Sequence, residues 1–567
     1  MNVALVGDGP AIEAVSAALG DVDVAVDRTT PDDVGNAELA VVSDVAGAET
    51  FDAVNDRREK PWISIEVGGL GGVGLEDIDA GITLYGRSCF DCLRERVQGR
   101  DDVPTVSPSA GRSAVRLAGA TAGREAVRLL SGDRGSLDSV VEVPYARRPL
   151  LPLPNCCGPD REWRPGREYT ERGIEPTAAA AERAVDDRVG PVATIGEAES
   201  FPAPYYLATM AETEGFSDAS VPEGAAGVDD AWDSAYVKAV GEGLERYASS
   251  IYRTDRLEHA PPAAVSGAVP PSRFAAAGEG APTAEDSDHE RYWIPGESLG
   301  DGSEVRLPAQ SVLFPPPESP DVPAITTGLG LGSSPAGALR SGLTEVIERD
   351  ATMIAWYSSF EPLGLAVDDA AFDRLARRAR GEGLSVTPLL VTQDVDVPVV
   401  SVAVHREGEW PRFAVGAAAA LDPTDAARSA LAEAIQNWME LRSAGQERSS
   451  SVSGAIGRYA SFPDEARSMI DVDDRVPASA VGPDDPPSGA EALDALLDRL
   501  DAAGLDAYAT RLTTRDLETL GFEAVRVVVP EAQPLFTGEL RFGDRARSVP
   551  ESLGFEPRLD RSHHPYP

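Results

Sequence analysis

Lys238-Ala239-Val240-Gly241-Glu242-Gly243-Leu244-Glu245-Arg246 and Glu345-Val346-Ile347-Glu348-Arg349-Asp350 decide how this chain is read. Spacing of i, i+3 and i+4 puts Glu242, Glu245 and Arg246 on one helix face, and Glu345, Glu348 and Arg349 on another. The second helix opens at Ser334-Pro335, a capping residue followed by proline at the first helical position. A third opens at Asp422-Pro423 by the same rule and carries Glu433 and Gln436. In so acidic a chain, a single E-x-x-E-R reads as a solvated stripe of ion pairs. Two copies inside apolar helices read differently, because carboxylates taken out of water need a cation. Magnesium takes about six oxygens and reaches protein through one or two carboxylates plus phosphates, while Arg binds phosphate bidentately. The faces therefore predict a site for ATP and Mg2+. Thr326-Thr327-Gly328-Leu329-Gly330-Leu331-Gly332, just upstream of the second helix, supplies glycines that let backbone come close to a ligand near a helix N-terminus.

The chain has 567 residues, which predicts two or three domains, and a net charge of -43, which excludes a generic nucleic-acid binder. Lysine occurs only at Lys60 and Lys238, so arginine carries nearly all the positive charge. An acidic, lysine-poor chain is what solubility in molar salt favours, where the Debye length falls to roughly 3 Å. The composition looks like that of a halophilic archaeal protein. No apolar run reaches the length of a membrane span and no signal-like segment opens the chain, so no membrane partner and a cytoplasmic location are expected. A homodimer is compatible with all of this.

Residues 2–7 read as a buried strand, Pro10 to Leu19 as the helix behind it, and Val22 to Val26 as the next strand. Further strands are expected at Ala37 to Val42 and Trp62 to Val67, and a helix at Arg112 to Leu130. The turn Gly7-Asp8-Gly9-Pro10-Ala11-Ile12 keeps two of three dinucleotide-fingerprint glycines, with Ile12 at the third. Cys89 and Cys92 have the C-x-x-C spacing that lets two thiolates share a zinc, and Cys156-Cys157 lie further on. Zinc and buried free thiols are both open readings. This segment resembles the ThiF-like domain that accompanies many peptide cyclodehydratases, in which a second spaced cysteine pair usually follows. Here that pair is adjacent. The expected organisation is a Rossmann-like, ThiF-type, leader-peptide-binding domain over 1–157, a linker over 158–174, and a mixed α+β domain over 175–567. Ala260 to Asp288 reads as an inserted loop.

The paired E-x-x-E-R motifs, the glycine-rich loop, Glu433-Ala434-Ile435-Gln436 and the closing His564-Pro565-Tyr566-Pro567 resemble the YcaO family. So do Thr513-Thr514-Arg515-Asp516 and the strand running to Val529-Pro530, which resemble its azoline-forming members. That resemblance implies Mg2+ held by Glu242, Glu245, Glu345 and Glu348, and phosphates on Arg246 and Arg349. It also implies a nucleotide site completed by Glu433, Gln436, Thr326, Thr327 and Gly328. The implied enzyme phosphorylates a peptide amide oxygen after attack by a neighbouring Cys, Ser or Thr side chain, and loss of phosphate leaves an azoline, as in bacteriocin biosynthesis. Its substrate would be a ribosomal precursor peptide, with a dehydrogenase or sulfur-delivery protein as further partner. Backbone thioamidation and a non-catalytic regulatory role are the alternatives. Thr326-Thr327 stand where the family often has Ser-Asn, and Val228 lies near a position where many members have lysine. Lys238 either replaces that lysine or pairs with Glu242 one turn on. Two proline rings limit the freedom of the closing segment, and the Pro567 carboxylate is expected to orient a catalytic group.

Overall fold

The computed structural model describes residues 1–100, 105–144, 146–157, 161–274, 289–318, 325–451 and 456–567. Asn2–Val6 is a strand with four buried residues, followed by the helix Pro10–Leu19. It sits between the parallel strands Ala25–Arg28 and Leu39–Val45, and Trp62–Val67 continues the parallel run. Three antiparallel strands, Ala80–Tyr85, Ser139–Val143 and Ala146–Pro149, complete a seven-stranded sheet. Helices cover both faces, which is why its central strands read as unbroken apolar runs. The second strand starts at Ala25 rather than Val22, because residues 19–22 close a turn in which Val22 N–H donates to Leu19 O. The third likewise begins two residues later than its sequence signal, at Leu39. Ile12 is fully buried against the Arg112–Leu130 helix, filling the place of the third fingerprint glycine.

The stretch expected to be a linker is, from Arg161 onward, a strap laid on the rest of the chain. Arg164 and Arg167 pair with Glu297 at 3.0 and 2.9 Å, and Trp163 O accepts from Arg511 N–H at 2.8 Å. Its arginines find carboxylates, so a polar, aperiodic sequence is ordered without a helix or strand. Residues 158–160, and residues 275–288 of the expected inserted loop, lie outside the described residues.

Beyond the strap, three antiparallel-rich sheets each contribute one strand to the same task. The sheets have three, six and five strands. Gly224–Val228 leads into the helix Trp232–Ser250, Leu329–Gly332 into Pro335–Trp356, and Phe413–Ala419 into Pro423–Ala444. Both expected caps form: Ser334 accepts from Gly337 N–H and Asp422 from Thr424 N–H. In each unit the helix lies unusually close on its strand. A Cβ added at Gly227, Gly330 or Gly416 would come within 2.3 to 2.5 Å of the backbone of its own helix, so only glycine permits the approach.

Candidate active site

The three helices bring their carboxylates to one cavity of about 2040 Å3, whose wall includes Glu242, Glu245, Arg246, Thr326, Thr327, Glu345, Glu348, Arg349, Glu433, Gln436, Lys238 and Pro567. Glu242 and Glu433, nearly two hundred positions apart, thus share one site. Gly328 is not in that wall but lies between its residues Thr327 and Leu329, and donates its N–H to Glu345 Oε2 at 3.0 Å.

Positive charge is interleaved with the carboxylates. Arg246 is bonded to Glu242 on the same helix and to Gly224 O. Arg349 approaches Glu348 Oε1 at 3.4 Å and Glu433 Oε1 at 3.9 Å, and donates to Pro567 O at 3.3 Å. The Arg349–Glu348 contact is close in distance but not aligned as a hydrogen bond, so Glu348 Oε1 has no hydrogen-bond partner among the described residues. Burial, with Glu345 and Glu242 nearby, pushes Glu245 up to about 8. Burial likewise raises Glu345 and Glu433, and takes Glu348 well above the carboxylate range. Desolvation works against the Arg349 charge, yet Glu348 and Glu433 hold its pKa above the ordinary value. Acids whose charged forms are this disfavoured, half-buried except for the buried Glu348, suit a divalent cation chemically.

Lys238 lines the same cavity but does not pair with Glu242. It reaches Asp229 Oδ2 at 2.6 Å and Val228 O at 3.4 Å, because Arg246, one turn on, already occupies Glu242. The one-turn pairing expected from spacing is therefore corrected. Residues 564–566 are packed down: His564 and Tyr566 are buried, His564 Nε2 lies 2.7 Å from Phe536 O, and the Tyr566 and Ser401 hydroxyls are 2.9 Å apart.

One member of the site and one residue beside it escaped the reading of the sequence. Glu440 lines the cavity, accepting from Gln436 Nε2 at 3.1 Å and Tyr205 Oη at 3.3 Å. Its signal was present, since Glu433, Gln436 and Glu440 fall at i, i+3 and i+7 of one helix. Arg526, on the strand Glu523–Val528, feels both Glu345 and Glu245. Nothing in an apolar strand pattern singles it out.

A second cluster lies in the N-terminal part. The sulfurs of Cys89, Cys92, Cys156 and Cys157 all lie within 4.8 Å of one another, with Cys89–Cys156 and Cys156–Cys157 at 3.3 Å, Cys89–Cys92 at 3.6 Å and Cys92–Cys157 at 3.7 Å. The edge of a tetrahedral zinc thiolate site is about 3.8 Å, from Zn–S bonds near 2.3 Å. The adjacent pair reaches this arrangement because Cys157 adopts a left-handed φ of 58°, which turns its side chain back toward the others.

A buried ion pair joins this region to the site helices. Arg96, on the helix Phe90–Gln98, donates to Asp516 Oδ2 at 2.9 Å, and Tyr247, next to Arg246, donates to the same oxygen at 2.6 Å.

The sequence profile of the family described as YcaO cyclodehydratase, ATP- and Mg2+-binding, matches residues 226–533. An uncharacterized protein of Methanothermobacter thermautotrophicus is 28% identical over 344 residues, covering 55% of this chain and 82% of that protein. A heterocyclase solved in complex with substrate and cofactor has a similar fold, with a TM-score of 0.72 at 18% identity over 98% of this chain and 83% of its own. The heterocyclase TruD gives a TM-score of 0.63 at 18% identity over 98% of this chain and 82% of its own. The YcaO protein of Methanopyrus kandleri, bound with AMPPCP and Mg2+, gives 0.53 at 23% identity over 67% of this chain and 96% of its own. At these identities the structural likeness is one of fold. The profile, however, spans more than half of the sequence and all three glutamate-bearing helices, and the chain belongs to the YcaO cyclodehydratase family.

Proposed function

We propose that this chain activates a backbone amide of a ribosomally made peptide with ATP and Mg2+, and cyclises a neighbouring Cys, Ser or Thr side chain to an azoline. The observation that carries the reading is the convergence of Glu242, Glu245, Glu345, Glu348 and Glu433 on one cavity, with Glu348 Oε1 lacking a hydrogen-bond partner among the described residues. In this reading Glu242, Glu245, Glu345 and Glu348 hold the metal, which when bound neutralises phosphate charge. Arg246 and Arg349 grip the phosphates, Glu433 and Gln436 complete the nucleotide site, and Thr326, Thr327 and Gly328 border it. Positioning and charge neutralisation supply most of such a phosphoryl transfer. The balance is simple: the peptide loses one water while ATP becomes ADP and phosphate. Pro567, held by Arg349, and Lys238, held by Asp229, stand where they can orient the reacting amide.

The N-terminal sheet fits a ThiF-type domain that presents the leader of the precursor. Its four cysteines fit a structural zinc. The scarcity of lysine and the net charge of -43 fit a halophilic archaeal cytoplasm.

The test is incubation with ATP, Mg2+ and a Cys/Ser/Thr-rich peptide encoded beside the gene, read by mass spectrometry and phosphate release. Water loss is expected, dependent on Mg2+ and absent from Glu345→Ala. Replacement of oxygen by sulfur in the presence of a sulfur donor would identify a thioamidating enzyme instead. ATP binding with no peptide product would identify a regulatory member. Removing Pro567 is expected to suppress water loss while sparing ATP binding.

A further inference from the structure

A smaller chamber of about 150 Å3 adjoins the glutamate cavity and shares Ile325, Thr327, Arg349, Leu535 and Thr537 with its wall. The rest of its lining is mainly apolar, with Phe274, Val527, Val529 and Phe536 prominent. Arg526 interrupts that surface, as do Glu539 and Arg541. Arg526 is 7% exposed, and its Nη2 donates to Ile325 O at 2.9 Å. Its Nε and Nη1 are buried and have no hydrogen-bond partner among the described residues. Burial lowers its pKa to about 10, with Glu345 and Glu245 opposing. Buried donors are ordinarily satisfied, and two unused N–H directions on one guanidinium beside a reaction cavity point to a ligand.

Volume and charge decide which ligand. Sites for whole small molecules occupy roughly 300–1,000 Å3, so this chamber holds one side chain and no nucleotide. Its walls suit an apolar side chain. A carboxylate on Arg526 would add an anion beside Glu345 and Glu245, whereas a neutral carbonyl oxygen accepts the free N–H groups without that repulsion.

We propose that this chamber is a specificity subsite: it takes one apolar side chain of the peptide next to the reacting residue, and Arg526 donates to the backbone carbonyl oxygen beside it. The inference rests on the peptide-modifying reading above. It makes Arg526 a substrate-binding residue and selects apolar neighbours for the cyclised Cys, Ser or Thr.

The experiment uses the full chain with acetyl-Xaa-Cys-Xaa-amide peptides in which Xaa is Gly, Leu or Glu. Binding is read by saturation-transfer NMR, turnover by water loss, and Mg2+–ATP affinity by calorimetry. The Leu peptide should bind about ten-fold more tightly than the Gly or Glu peptide. Arg526→Met should weaken Leu-peptide binding about ten-fold while Mg2+–ATP affinity stays within about two-fold, and Arg526→Gln, which keeps amide donors, should recover part of the loss. Equal binding of the three peptides would overturn the proposal. So would an Arg526→Met variant that loses Mg2+–ATP affinity as strongly as peptide affinity, because Arg526 would then serve the glutamates. Leu-selective, Arg526-dependent binding without water loss would uphold the subsite and sink the cyclodehydration reading.

Discussion

Gly328 N–H donates to Glu345 Oε2 at 3.0 Å, and the same bond is made twice more, from Ala226 N–H to Glu242 Oε2 at 2.7 Å and from Ala417 N–H to Glu433 Oε2 at 2.6 Å. Three strand–helix units therefore repeat one device, in which a glycine lets the helix settle on its strand and the backbone around that strand fixes one oxygen of a helical glutamate. The second oxygen is left to meet a guanidinium or a cation. Orientation is set before any ligand arrives, which is the preorganisation that phosphoryl transfer requires.

Glu348 makes the sharpest test of the metal assignment. Its buried carboxylate meets Arg349 at 3.4 Å without an aligned hydrogen bond, and an Oε1 with no hydrogen-bond partner among the described residues is a cost in the metal-free protein. Glu348→Gln should raise the metal-free melting temperature by roughly 2 °C or more, while Mg2+-dependent ATP binding falls at least ten-fold. Calorimetry and thermal melts with and without chelator check both. A variant that is less stable and still binds Mg2+–ATP normally would refute the role given to Glu348.

Asp516 ties the Phe90–Gln98 helix to Tyr247, beside Arg246, and its side chain is fully buried. Asp516→Ala would leave Arg96 buried without its carboxylate, a loss of roughly 3–5 kcal/mol. Asp516→Asn keeps an oxygen for Tyr247 and should fall between the variant and the parent. An Asp516→Ala protein melting with the parent would show that the pair contributes nothing.

His564 predicts a pH dependence. Burial lowers its pKa from 6.5 to about 4, so the docked segment binds the neutral imidazole. A lowered histidine pKa stabilises the fold fully above the unfolded value. The contribution fades as pH falls from about 6.5 toward 4, and amounts to on the order of 3 kcal/mol. His564→Gln can still donate to Phe536 O but cannot titrate. Between pH 7 and pH 5 the parent should lose more stability than His564→Gln in denaturant titrations, and equal losses would count against this origin.

The cysteine cluster predicts stoichiometric zinc by elemental analysis and thiols that titrate only after chelation. Cys92→Ala should abolish the metal and lower the melting temperature. Zinc-free protein with four freely reacting thiols would leave the cluster as packed sulfur.

Sequence alone determined the local pieces. The caps at Ser334 and Asp422 and the i, i+3, i+4 faces of Glu242–Arg246 and Glu345–Arg349 are decided by contacts within one or two helical turns, so periodicity and capping chemistry expose them. The helices Pro10–Leu19 and Arg112–Leu130 were legible for the same reason. Only the tertiary structure decided what those faces meet. The three glutamate helices lie far apart in sequence, and their convergence depends on strand–helix approaches at Gly227, Gly330 and Gly416; Gly330, in the run expected to bring backbone close to a ligand, lies instead against its own helix. Lys238 pairs with Asp229 because Arg246 had already taken Glu242, a competition that spacing cannot resolve. Arg526 stands in the sequence as one polar residue of an apolar strand, and only folding makes it a candidate binding group by burying it beside the cavity with Nε and Nη1 unbonded among the described residues, since desolvation and the choice of partner are properties of packing.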